Sequence, residues 1–126
     1  MKRCWFGLGL LILMLVGGLL VTRSMDHNYS RMSHQLAAAR EAALAEEWNT
    51  ARALLEDAKD TWQARWHFSA AFSDHEPMEE IDGLFAQAEV YLKCREREAL
   101  AATCGELAKM AEAMGEAHAL SWWNLL

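Results

Sequence analysis

Proline is nearly absent from this 126-residue chain, with Pro77 alone, and glycine is sparse at seven. An all-β domain of this length needs many turns, and turns are built from Gly, Pro, Asn and Asp. The scarcity excludes that class. Ala, Leu, Glu, Met and Arg dominate instead, all good helix formers. Cysteine is also scarce, with three residues, which excludes a disulfide framework. Cys4 precedes the long apolar run rather than following it, so it does not have the placement of a lipoprotein cysteine. Cys94 and Cys104 are expected as small buried hydrophobes. A turn near Arg95–Glu98 sets them too far apart along their helices for a bond. Positive charge is in deficit after the first apolar run. From Ser24 onward eighteen acidic side chains face nine basic ones. Such a surface repels nucleic acid, and a nucleic-acid partner is excluded. No glycine-rich phosphate loop and no nucleophile elbow is present, so the reading is of a protein that is not an enzyme and needs no cofactor.

One uncharged run stands out. Cys4–Thr22 would span about 28 Å as a helix at ~1.5 Å per residue, close to the ~30 Å of a bilayer core. Trp5 would lie at its interface. The rival is a cleaved secretory signal, but the only small-x-small site, Thr22-Arg23-Ser24, is poor. The run is therefore read as a single transmembrane anchor. Lys2 and Arg3 before it, against Arg23 alone after it, place the N-terminus in the cytoplasm. This divides the chain into residues 1–23, a cytoplasmic start and anchor, and residues 24–126, an acidic extracytoplasmic domain at a bacterial cell membrane.

Four amphipathic stretches follow. Met25, Tyr29, Met32, Leu36, Ala39 and Ala43 recur at alternating steps of four and three, which is one face of a helix. Trp48, Ala51, Leu55, Ala58, Trp62, Arg65 or Trp66, Ser69 and Phe72 continue the alternation over a second helix, 47–72, with Arg65 and Ser69 loosening the stripe near its end. Ser73-Asp74-His75-Glu76-Pro77 breaks the pattern. Ser73 with Glu76 fits a capping box, and proline suits a first helical turn. A third helix carries Met78, Ile81, Phe85, Ala88 and Leu92. A fourth carries Leu100, Cys104, Leu107, Ala111 and Met114, with Gly115 as its C-cap. Short connections make neighbours antiparallel. The predicted fold is all-α, a transmembrane helix followed by an antiparallel bundle of about four helices in hairpins. Its core is expected at Trp48, Leu55, Trp62, Trp66, Phe72, Ile81, Phe85, Leu92 and Leu107. Glu46–Ala58 and Arg95–Leu107 each open a helix after a charged turn, similar to the helix pairs of tetratricopeptide repeats. Their spacing does not fit that ~34-residue period, so no repeat is assigned.

Trp48 with Ala51 and Leu55, the Trp62 and Trp66 pair, Asp74-His75-Glu76, Ile81, Tyr91-Leu92 and the terminal Asn124-Leu125-Leu126 together resemble the bacterial family "domain of unknown function 4363". The resemblance covers nearly the whole chain. Trp122-Trp123 and the richness in alanine depart from the family pattern. It implies a membrane helix and an acidic helical domain, and it assigns no activity from which catalytic residues could be carried over. It also implies a membrane-protein partner of the family "domain of unknown function 421".

Candidate sites are few. Asp74, His75 and Glu79 could hold a divalent metal, since imidazole and carboxylate suit one. The competing reading is an interhelical turn in which Asp74 caps and the acids serve the helix dipole, so no metal is assigned. His27 and His34 are seven apart, too wide for a ligand pair on one helix. Trp122, Trp123, Leu125 and Leu126 form an apolar tail that either docks on a partner or closes the bundle. The expected function is a membrane-anchored helical accessory module for a membrane protein. The alternatives are a ligand-binding sensor bundle with an apolar pocket near Trp62, Trp66 and His75, and a metal-binding protein at the 74–76 turn. The oligomeric state is left open.

Overall fold

The computed structural model describes the backbone of residues 2–69 and 75–124, and the side chains of 5–20, 23, 27–66 and 77–117. Four helices make up the described chain: α1 (Lys2–Leu44), α2 (Trp48–Ser69), α3 (His75–Cys94) and α4 (Arg97–Asn124). They run up, down, up and down. Each packs on its two neighbours around a square, with α1 closing on α4. One core fills the middle, and the sequence stripes point into it. Tyr29, Leu36, Leu55, Trp62, Ile81, Phe85, Leu92 and Leu107 are buried, and Trp48 and Trp66 pack half-buried against them. Phe72 lies outside the described residues.

The expectation of a membrane span is corrected. Among the described residues, no helix is long and apolar enough to cross a membrane. The helix that holds the uncharged run, α1, also carries exposed Arg23, His27 and Arg31. The single-pass anchor over Cys4–Thr22 and the bacterial-membrane, extracytoplasmic location that rested on it both fall.

Three further expectations change. Gly115 does not end a helix; α4 runs through it to Asn124. A Cβ at Gly115 would lie 3.4 Å from Tyr29 Cβ, so the glycine serves close packing. Cys94 is exposed at the end of α3, while Cys104 is buried. The third change is the repeat. Every buried residue of α1 from Tyr29 onward, except Ala42, has a buried mate 49 positions later in α3: Tyr29 with Met78, Met32 with Ile81, Leu36 with Phe85, Ala39 with Ala88, and Ala43 with Leu92. The same offset relates α2 to α4, as Ala51 with Leu100, Leu55 with Cys104, Ala58 with Leu107, and Trp62 with Ala111.

The two turns obey the same offset. Glu46 and Arg95 both adopt left-handed backbone, at φ 57° and 54°. Glu46 N donates to Ala43 O at 3.1 Å, and Arg95 N to Leu92 O at 3.3 Å. Glu47 N reaches Ala42 O and Glu96 N reaches Tyr91 O, each at 2.9 Å. These bonds form a Schellman ending, which satisfies the last carbonyls of each helix before the chain reverses. The bundle is thus two tandem helical hairpins built on one plan.

Candidate functional site

The hairpin plan leaves one segment over. α3 begins at the mate of residue 26, so the N-terminal part of α1 has no counterpart in the second hairpin. α4 runs antiparallel to α1, with Gly115 against Tyr29 and Gly105 against Arg40. By that register Asn124, nine residues past Gly115, comes level with residue 20. Below it, among the described residues, α1 continues alone as an arm. Trp5, Phe6, Leu13 and Met14 are 72–84% exposed, and the other large apolar side chains from Leu8 to Leu20 are at least half exposed. They lie on every face of the helix. A helix that is apolar all round is ordinarily surrounded by other apolar groups, and uncovered apolar patches of this extent mark contact surfaces. Gly9 leaves a notch among Trp5, Phe6, Leu10 and Leu13 that a partner side chain could fill.

Above the arm, a cleft of about 390 Å³ opens between α1 and α4, lined by Ser30, Ser33, His34, Ala111, Glu112, Gly115 and Glu116. Small residues create it. Ser33 Oγ turns inward and donates to Ala108 O at 3.1 Å. The cleft is open to solvent.

The opposite seam, between α2 and α3, is bridged by long side chains. Trp62 Nε1 donates to Asp82 Oδ1 at 2.7 Å. Lys59 Nζ pairs with Glu89 Oε1. The Trp62 and Trp66 rings meet edge to face, with centroids 6.4 Å apart. Arg65 places its guanidinium 5.1 Å from the centre of the Tyr29 ring, a cation–π contact that ties α2 to α1.

The predicted site residues are dispersed. Trp62, proposed to line a ligand pocket with Trp66 and His75, is sealed in the core at 1% exposure. Glu79 is exposed on α3, Asp74 lies outside the described residues, and so does the His75 side chain. Among the described residues, no three His, Cys, Asp or Glu side chains converge as a metal site. His27 and His34 are exposed. The backbone of Trp122 and Trp123 continues α4, with their side chains outside the described set, as are Leu125 and Leu126. Burial pushes the Cys104 thiol up to about 11, so it stays protonated and inert at neutral pH. On the surface, Glu98 is held below its usual range by its hydrogen bond from Arg97.

The arm went unassigned as a contact surface because its apolarity alone reads as a membrane segment. Only its position beyond the described end of α4 shows that the described bundle leaves it uncovered.

These features define a class: a small tandem-hairpin helical bundle whose longest helix projects beyond it as an apolar arm. The chain belongs to the family described as "Domain of unknown function (DUF4363)", whose pattern matches residues 19–125. The match covers the bundle and leaves most of the arm outside it. No curated protein and no solved structure matches the chain.

Proposed function

We propose that this protein is a non-catalytic helical interaction module, accessory to a protein whose apolar helices surround the α1 arm. The observation behind this reading is the uncovered arm from Trp5 to Leu20, apolar on all its faces. The bundle acts as a charged, well-packed base that keeps the arm helical and points it away from its own core. A long isolated helix is marginal on its own, and most helical stability comes from packing; continuity with the packed half of α1 supplies that support. The partner family implied by the sequence resemblance, domain of unknown function 421, is the first to examine.

The test is photo-crosslinking in the native host, with a benzophenone amino acid replacing Leu10 or Leu13 and, as a control, Glu80 on the bundle surface. A discrete protein adduct from the arm positions, absent from the control, is expected. No protein adduct from either arm position refutes the reading.

A further inference from the structure

The two seams that the hairpin duplication makes equivalent are built from opposite materials. On α4, Gly105, Ala108, Ala111 and Gly115 let α1 come close. Their mates on α2 are Glu56, Lys59, Trp62 and Trp66. On the facing helices, Ser33 and Arg40 of α1 correspond to Asp82 and Glu89 of α3. The result is a tight α1–α4 seam and a wide α2–α3 seam, which among the described residues is the loosest contact between neighbouring helices. The tight seam is backbone against side-chain stems, with a Gly105 Cβ position 3.4 Å from Arg40 Cδ and the Gly115 one 3.4 Å from Tyr29 Cβ. The wide seam is spanned at its polar margin by side-chain tips, namely the Trp62–Asp82 hydrogen bond and the Lys59–Glu89 pair.

Tip contacts stabilise less and break more easily than close packing. The Lys59 and Glu89 side chains are 32% and 43% exposed, so water screens their attraction, and such pairs contribute little. The Trp62–Asp82 bond is replaceable by water at Asp82, which is exposed. Dispersion contacts between closely packed stems have no such substitute.

We propose that the bundle is a two-leaved device: α1 and α4 form a permanent spine, and the α2–α3 seam is the side on which it opens. In the open state the α2 and α3 core faces reach solvent while the α1–α4 contact persists. The opening is local, drawn from the low-stability end of the structure. It is independent of what the arm binds.

The duplication supplies matched probes. Ala39 on α1 and Ala88 on α3 are mates, both alanines at 0% exposure. Ala39→Cys and Ala88→Cys are each placed in the full chain with Cys4 and Cys94 changed to Ser and Cys104 to Ala. Labelling by a thiol reagent is followed in native buffer and in low urea. The expected result is that Cys at 88 reacts at least about tenfold faster than Cys at 39, with a weak urea dependence that marks sub-global opening. Adding Lys59→Ala should quicken labelling at 88 up to about fivefold and leave 39 unchanged. Leu55→Cys compared with native Cys104, another pair of mates, repeats the test on α2 and α4, with Cys4 and Cys94 changed to Ser and, in the Leu55→Cys chain, Cys104 to Ala. Equal rates at the mates, or a urea dependence at 88 as steep as that of global unfolding, overturns the proposal.

Discussion

Trp62 is the side chain on which the wide seam most depends, and its removal has a calculable cost. The indole is 1% exposed and reaches across to α3, where its N–H meets Asp82 at 2.7 Å. It also packs edge to face with Trp66. Trp62→Ala removes the whole buried ring from the core, and changes of this kind cost about 3–5 kcal/mol. Trp62→Phe keeps a ring but loses the donor. The lost hydrogen bond contributes about 0.5–1.5 kcal/mol, and the smaller ring forfeits about 1 kcal/mol of burial at ~25 cal/mol per Å². The expected total is about 2 kcal/mol. Asp82→Asn retains an acceptor oxygen and should cost under about 1 kcal/mol. Urea unfolding followed by helical circular dichroism measures all three, with an unchanged slope showing that the unfolded state is the same. Against a total stability of about 5–15 kcal/mol, the alanine variant should be conspicuous. If Trp62→Ala costs less than about 1 kcal/mol, the ring is not anchored as described and the account of the wide seam fails.

Replacing the left-handed residues of the two turns with glycine, Glu46→Gly and Arg95→Gly, should stabilise each by about 0.5–1 kcal/mol, because glycine accepts φ near 57° and 54° without the Cβ penalty. A loss in either, measured by thermal unfolding, contradicts the turn geometry. Cys104 introduces a pH dependence. Its thiol is raised from 9.0 to about 11 in the folded chain, so the unfolded state ionises first as pH rises. Stability from this group is complete below about pH 9 and falls between about 9 and 11, by roughly 2 kcal/mol. Cys104→Ala should remove that part of the alkaline destabilisation; an unchanged profile refutes it. At pH 7.5 the exposed Cys94 should react with a thiol reagent in the native state, and Cys104 only on unfolding.

Much of this architecture is written in the chain order of its residues. The steps of four and three from Tyr29 to Ala43 and from Met78 to Leu92 fix both the helices and the faces they bury. The scarcity of glycine and proline excludes an all-β domain, and the charged breaks at Glu46 and Arg95 fall where the chain reverses. The 49-residue duplication was present too, in the similar openings of Glu46–Ala58 and Arg95–Leu107. It is hard to see because mates share a burial position rather than an identity: Leu36 answers Phe85, and Trp62 answers Ala111.

What the tertiary structure decided is how these faces meet. Gly115 reads as a helix end in sequence, since local propensity alone disfavours glycine within a helix. Close approach of α4 to Tyr29 reverses that reading. Cys94 reads as buried by composition, but it follows the last core position of α3 and turns outward. The difference between the tight and wide seams depends on which helix lies opposite each small or large side chain, a property of three-dimensional pairing. The bare arm is of the same kind: the residues from Trp5 to Leu20 declare themselves apolar, but only the register of α4 shows where coverage by the described bundle stops.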